Sequence, residues 1–376
     1  MSHAFTMIQT SGPLRDLVGR LAGEPCVALD TEFVWERTFY ARLGLVQLGL
    51  EDGSCFLIDT VAVTDLSPLG ESLANPGLVK ILHDAPQDLM ILRRATGAPA
   101  RNVFDTRLAA GFAGLTCETS LQRLLADLLD VQLPKGHTRA DWMARPLSAE
   151  QLDYAVDDVL YLPRVAALLR DRAREAGVEA WLDEELGSIH EDALYDERAP
   201  EEAYLRIRAA PFLPPRQQAV LAELAAWRER EARAADRPRK HVADDPELVA
   251  VAKGLPRQEV DFPKCRELEV RTAHRYGGHL LAAVERGLAR PETDLPALQP
   301  GPDERHVGRE RVASVGEAIR LAAEAFRIDP RVVSTKSDIL LLLAEGATAR
   351  PENHRLLSGW RARLLGDSLN SILHTG

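Results

Sequence analysis

The sequence predicts an α/β domain built on a mixed sheet, followed by two small all-helical domains. Three observations carry this reading. Short apolar runs separated by turn residues fill much of the first 106 residues and read as strands. Beyond residue 119 the apolar spacing takes the three-and-four rhythm of helices. Proline-marked breaks at 211–215 and 295–302 then divide the helical part. The resulting domains are 1–200, 206–293 and 300–376. A chain of 376 residues, 45 % hydrophobic and 27 % charged, has the length for two or three domains with real cores.

The first element is the buried strand Val27-Ala28-Leu29-Asp30-Thr31-Glu32-Phe33, entered through Gly23, Glu24 and Pro25. Strand side chains alternate faces, so Asp30 and Glu32 point the same way. Two like charges on one face raise each other's pKa unless a cation lies between them, and hard oxygen ligands suit Mg²⁺ or Mn²⁺. A bare Asp-x-Glu also suits an acidic turn at a strand end, so the pair alone decides nothing.

Leu43–Leu48 and Ser54–Asp59 follow as strands around the turn Glu51-Asp52-Gly53. A helix comes near Leu66–Ala74, and Leu78–His83 is a further strand. Pro86 fits a helix first turn, which sets Asp88 early on a helix directly after a strand. Asn102–Thr106 is a short strand leading into a helix. In 119–130, Leu121, Leu124, Leu125 and Leu128 share a face, and 134–142 is a polar, basic connection. Ser148 with Gln151 three residues on forms a capping box. The helix it opens carries Tyr154 and Asp158, four apart on one face, with Asp153 and Asp157 expected to be solvated. In the tail, Arg237–Leu248 lines up with Asp329–Leu340 about ninety residues on, which reads as a duplicated helical domain.

The four cysteines are widely spaced, which excludes a disulfide scaffold or zinc finger; Cys26 and Cys55 belong to apolar runs and are expected in the core. No apolar stretch reaches membrane-spanning length, and no basic-then-apolar leader opens the chain. A cytoplasmic protein with no membrane association is expected. The net charge of −11 is unevenly spread. Residues 1–200 carry 18 Lys and Arg against 31 Asp and Glu, a net of −13; 201–290 carry 17 against 14, a net of +3; 291–376 carry 11 against 12, a net of −1. An acidic part with candidate metal ligands, followed by a more basic module, suits an enzyme acting on a polyanion. A solvated basic helix face is the plainer alternative.

Asp30, Glu32, Asp88 and Asp158 therefore sit where strands end or helices begin, and only the fold brings them together. Cleaving a phosphodiester calls for an activated water and for neutralised charge on the phosphate and leaving oxygen. Two metals roughly 4 Å apart meet both needs.

In this order the motifs resemble the Asp-Glu-Asp-Asp superfamily of 3′→5′ exonucleases, in its tyrosine branch, and within it the ribonuclease D family. The carriers are Asp30-x-Glu32, the run His83–Asp88, and Tyr154-x3-Asp158. Thr31, Phe33, Gly44–Leu48, Phe104-Asp105-Thr106, Lys135, Arg139–Trp142 and Arg145-Pro146-Leu147 support them. The likeness covers residues 20–190. The tail resembles two tandem HRDC (helicase-and-RNase-D C-terminal) domains, with Tyr276-Gly277 and Leu280 in the first; Gly359-Trp360 and Leu364-Leu365 mark a divergent second. Asp84 is an extra acid beside the second motif.

The resemblance implies a ribonuclease H-like domain and a two-metal reaction. Asp30, Glu32 and Asp158 would hold one Mg²⁺ or Mn²⁺; Asp30 and Asp88 would serve the second. Tyr154 would orient the attacking water. Phe33 would pack on the terminal nucleotide, and Lys135 and Arg139 would touch the backbone. The expected activity trims RNA 3′ ends, such as those of tRNA precursors, releasing nucleoside 5′-monophosphates with no obligate protein partner. A DNA-directed exonuclease and a non-catalytic RNA-binding adaptor are the alternatives; the absence of a phosphate loop and the presence of all four acids with Tyr154 weigh against them.

Overall fold

The computed structural model describes residues 4–133 and 140–374. It forms two compact units: Met1–Val34 with Leu43–Tyr195 and Pro302–Gly376, and Trp35–Arg42 with Asp196–Gly301.

The first unit is built on strands β1 (Thr6–Ile8), β2 (Cys26–Val34), β3 (Arg42–Gly49), β4 (Cys55–Asp59), β5 (Val79–Leu82) and β6 (Val103–Asp105). They lie in the order β1-β4-β3-β2-β5-β6. β1 runs parallel to β4, β3 antiparallel to β4, and β2, β5 and β6 parallel to one another. This is the mixed sheet that the sequence predicts. Cys26, Val27, Ala28 and Leu29 are all buried, which makes β2 a central strand covered on both faces. Cys26 and Cys55 are core residues, as expected.

Helices α1 (Ser11–Leu21), α2 (Ser67–Ala74), α3 (Pro86–Thr96), α4 (Thr106–Phe112), α5 (Leu121–Leu129), α6 (Ala149–Leu160), α7 (Leu162–Glu175) and α8 (Glu179–Ser188) surround the sheet. The capping box at the start of α6 is present: Ser148 Oγ accepts from Gln151 N at 3.2 Å, and Gln151 Oε1 from Ser148 N at 3.0 Å. β3 and α6 meet closely at Gly49, where a Cβ would lie 2.6 Å from the Val159 carbonyl oxygen. Only glycine allows that approach.

In the second unit, α9 (Pro215–Ala234), α10 (Asp245–Gly254) and α11 (Val270–Ala289) pack around Leu221, Leu224, Trp227, Leu280 and Val284. Phe39 belongs to this core. Asp236 Oδ1 accepts from the backbone N–H of Phe39 at 3.0 Å and of Tyr40 at 3.2 Å. The Phe39 ring has the guanidinium of Arg239 at 4.5 Å and that of Arg233 at 5.7 Å.

The rest of the first unit is α12 (Glu304–Val307), α13 (Arg309–Ala325), α14 (Pro330–Val333), α15 (Lys336–Glu345) and α16 (Gly359–His374). Their order echoes that of the second unit: a long helix, a short turn, a capped ten-residue helix, another turn, and a long helix. Asp244 with Glu247 caps α10, and Thr335 with Asp338 caps α15, both as capping boxes. The sequence sets 300–376 apart, but Val332, Val333, Leu342 and Trp360 share one core with Val27, Leu45 and Phe112. Trp360 stacks on Trp181 at 5.7 Å. Arg361 reaches both Glu185 oxygens at 2.7 Å and the carbonyls of Val332 and Val333 at 2.8 Å.

Candidate active site

β2 carries Asp30 and Glu32 side by side on one face, inside the strand rather than at its end. α6 packs on β2 and β4 and brings Asp158 over the pair. One carboxylate oxygen from each of Asp30, Glu32 and Asp158 lies within 4.8 Å of the others. Among the described residues no Lys or Arg pairs with them. Burial pushes the Asp30 carboxyl well up, and the charges of Asp158, Asp88 and Glu32 add to it. Glu32 is pushed up to about 9 by burial, then by Asp158 and Asp88.

Asp88 enters from the first turn of α3 and is buried. It stands outside the group of three but close enough for its charge to raise all of them. The Thr31 hydroxyl, on the strand between Asp30 and Glu32, donates to Asp88. Burial lifts Asp88 to about 6 against that bond. The start of α3 is fixed by Asp105, whose oxygens accept from Asp84 N at 3.1 Å and Ala85 N at 2.9 Å. Asp105 also caps α4 through Arg107 N and Leu108 N. Asp84 turns away: it sits at φ 68°, more than half exposed, and pairs with Arg107.

Tyr154 lies one turn before Asp158, and its hydroxyl bonds the Asp158 carboxylate. Burial pushes Asp158 up to about 7, with the Tyr154 bond opposing. Burial and the neighbouring acids push the phenol up, so it keeps its proton and donates. Behind Tyr154, at 6.1 Å between rings, is the fully buried Trp142. Gly44 leaves room on β3 for the Trp142 backbone. Arg145 pins the same stretch: it reaches Asp59 at 2.6 and 2.9 Å and the carbonyls of Trp142 at 2.9 Å and Gly44 at 2.7 Å. The Asp59–Arg145 pair escapes sequence reasoning, because its partners are 86 residues apart and neither sits in a repeating pattern.

Asp157, expected to be solvated, is buried; it faces inward where α6 meets the sheet, and it raises Asp158. Asp153 is half-buried. Phe33 is half-buried and, among the described residues, belongs to neither hydrophobic core. Lys135 and Arg139 lie outside the described residues.

The donor set fits divalent cations. It is all oxygen, three carboxylates converge within one coordination sphere's reach, and among the described residues no protein cation pairs with them. No described helix is long and apolar enough to cross a membrane.

The comparisons agree with this geometry. A family model described as a 3′-5′ exonuclease matches residues 5–173, and an HRDC domain model matches 217–284. The chain is 37 % identical over 361 residues to ribonuclease D of Desulfotalea psychrophila, covering 96 % of each. It is 32 % identical over 375 residues to ribonuclease D of Escherichia coli, covering 98 % of each. The crystal structure of Escherichia coli RNase D, described as an exoribonuclease involved in structured RNA processing, superposes with a TM-score of 0.87 at 32 % identity over 99 % of both chains. With a ribonuclease H-like mixed sheet, clustered acids and an HRDC region in one chain, matched along almost its whole length, this protein belongs to the ribonuclease D family.

Proposed function

We propose that the chain is a metal-dependent 3′→5′ exoribonuclease that trims RNA 3′ ends and releases nucleoside 5′-monophosphates. The observation that carries this is the convergence of Asp30, Glu32 and Asp158 within 4.8 Å, with the Tyr154 hydroxyl bonded to the last. Asp30, Glu32 and Asp158 would hold one cation, and Asp30 with Asp88 a second, either Mg²⁺ or Mn²⁺. Bound there, the ions supply neutralisation of phosphate charge and a more acidic water. The protein's own groups do the positioning. Tyr154 stays a neutral phenol and orients the attacking water, since its proton is too tightly held for it to act as a base. Thr31 holds Asp88 in place from the strand that carries Asp30 and Glu32. Trp142 and Arg145 keep the wall behind Tyr154 rigid. Phe33 packs on the terminal base, and Lys135 and Arg139 contact the backbone. Water adds to phosphorus, the bond to the 3′ oxygen of the shortened RNA breaks, and that oxygen takes a proton.

By likeness to its relatives, the substrates are structured RNAs such as tRNA precursors. The three-part division into a nuclease and two HRDC-like segments, 206–293 and 300–376, goes with this reading. So does a cytoplasmic location, supported by four cysteines that are free thiols. The test uses matched RNA and DNA carrying a label at either end, with Mg²⁺ or EDTA. A 3′ label released at once as mononucleotide, from RNA and only with metal, is the expected result. Internal fragments, EDTA-resistant cleavage or faster DNA digestion would overturn it.

A further inference from the structure

In the first unit the link His83-Asp84-Ala85 joins β5 to α3, and the half-buried ring of His83 is tied at both nitrogens. Nδ1 lies 3.0 Å from the Thr106 hydroxyl, and Nε2 lies 3.2 Å from the Thr119 carbonyl oxygen. Both threonines are buried. A carbonyl oxygen only accepts, so the second contact places a proton on Nε2. Burial holds His83 below its usual range; Asp105, the Thr119 carbonyl and Asp84 oppose that, and Arg107 adds to it. A neutral imidazole has one N–H, so Nδ1 is left to accept from the Thr106 hydroxyl. That hydroxyl also lies 3.0 Å from the Leu82 carbonyl oxygen, and its single proton serves both.

The two partners fix different things. Thr106 opens α4 beside Asp105, whose carboxylate holds Asp84 N and Ala85 N at the entrance to α3. Thr119 belongs to the connection between α4 and α5. That connection is anchored by the last segment of the same unit. Asp329 N donates to the Gly111 carbonyl at 2.7 Å, and Asp329 Oδ2 accepts from Cys117 N at 2.9 Å. Arg331 reaches the Thr116 hydroxyl at 2.8 Å and pairs with Glu118. A Cβ on Gly111 would lie 2.4 Å from a Val332 methyl carbon, so the two segments meet without slack. His83 thus joins the start of α3 to a stretch of chain that is itself held firmly. Asp88 sits in the first turn of that helix, five residues after His83.

We propose that His83 is a positioning residue for Asp88: through Thr119 it ties the entrance of α3 to the anchored connection and so sets where the Asp88 carboxylate stands. The proposal rests on the reading that Asp88 serves the second cation. Side chains that fix metal ligands from outside the coordination sphere contribute about 10- to 100-fold in affinity or rate.

The experiment compares H83N and H83Q in the full chain, because each amide keeps one contact. H83N still meets Thr106 and loses Thr119; H83Q reaches Thr119 and donates to its carbonyl. Mn²⁺ binding to the metal-free protein is followed by calorimetry, with D88N alongside, and cleavage of a short RNA is measured with Mn²⁺. H83N is expected to weaken by about tenfold or more the Mn²⁺ site that D88N removes, to leave the other site unchanged, and to lower kcat by about tenfold or more at constant KM. H83Q is expected to stay within about threefold of the parent in all three. Nitrogen NMR of the parent is expected to show His83 as the neutral tautomer with its proton on Nε2. A proton on Nδ1 alone overturns the proposal. So does H83N that equals H83Q, or H83N that weakens both Mn²⁺ sites alike. If H83N does not fold, the tautomer and H83Q decide, and a loss of about tenfold or more in H83Q overturns the proposal. D88N that leaves both Mn²⁺ sites intact would strike the reading of Asp88 itself, and the proposal with it.

Discussion

Among the described residues, Asp30, Glu32 and Asp158 of the first unit crowd within 4.8 Å without a paired cation, and Arg37, Arg237, Arg271 and Arg275 of the second surround a cavity without a paired acid. Residues 302–376 behave differently from both. Their Arg331, Arg355, Arg361 and Arg363 pair with Glu118, Glu185, Glu185 and Glu184, all within the same unit. Two helical segments with the same element order thus use arginine in opposite ways. One leaves four of its arginines open around a cavity; the other joins four of its own to acids of the same unit. The crowded, buried acids repel one another in the free protein, and a ligand of the other sign relieves that repulsion. The uneven net charge along the chain hints at this split, but only the pairing shows it.

The largest break in the comparison comes from removing an acid of the cluster. Asp30→Asn should leave below about a thousandth of the parent cleavage rate, a loss of about 4 kcal/mol in transition-state stabilisation. RNA affinity in EDTA should hold, and the metal-free melting temperature should hold or rise, because like-charge repulsion is relieved. Residual activity above about a tenth would remove Asp30 from the metal set.

Next in size is the inward use of arginine. Arg361→Ala strips a largely buried partner from Glu185 and should cost about 3 kcal/mol or more in urea unfolding. Arg271→Ala, exposed and unpaired, should stay within about 0.5 kcal/mol of the parent. Equal costs would end the distinction between the two helical segments. The pH dependence sharpens it. Burial pushes Glu185 above its usual 4.5, with the bond from Trp360 and the charge of Arg355 opposing. A raised carboxyl destabilises the fold above its unfolded pKa and not below it. With Arg361 gone that cost grows, so Arg361→Ala should be more damaging at about pH 8 than at about pH 5. A flat or reversed profile would show that the arginine acts by packing alone.

Tyr154→Phe should lower kcat by about 10²-fold with metal binding, read by calorimetry, unchanged. If metal affinity falls instead, the phenol supports Asp158 rather than water. Smallest is Arg363→Ala, an exposed pair with Glu184, which should cost about 1 kcal/mol or less. Asp84→Asn should likewise leave cleavage near the parent value, since Asp84 pairs with Arg107 and faces away from the acids.

The acids were legible because spacing fixes their faces. Two residues apart on a strand and four apart on a helix leave little freedom, so Asp30 with Glu32 and Tyr154 with Asp158 could be paired from sequence. β3, β4, β5 and the capped α6 were readable for similar local reasons. β1 was not, because three residues carry no period. α1 was missed as well, although Leu14, Leu17 and Leu21 are its buried face; Gly12 and Pro13 disguise its start. Nor does anything near Phe39 announce that its ring belongs to a helical core formed by residues nearly two hundred positions later. The sequence also sets 300–376 apart as a domain of its own. It gives no sign that Trp360, Val332 and Leu342 complete the core that also holds β2 and β3. Period and capping report neighbours along the chain, whereas these features depend on partners far from it.

That shared core has a consequence for how the protein is made. Synthesis delivers residues 4–195 first, then the helical unit 196–301, and only afterwards 302–376. The sheet therefore emerges from the ribosome without part of its interior and waits for about a hundred residues of another unit to pass before the missing side chains arrive. A nascent chain stalled between Asp158 and Trp360 holds all four acids and Tyr154 yet lacks part of the core on which their sheet is packed. Packing of that core is thereby tied to translation of residues 302–376.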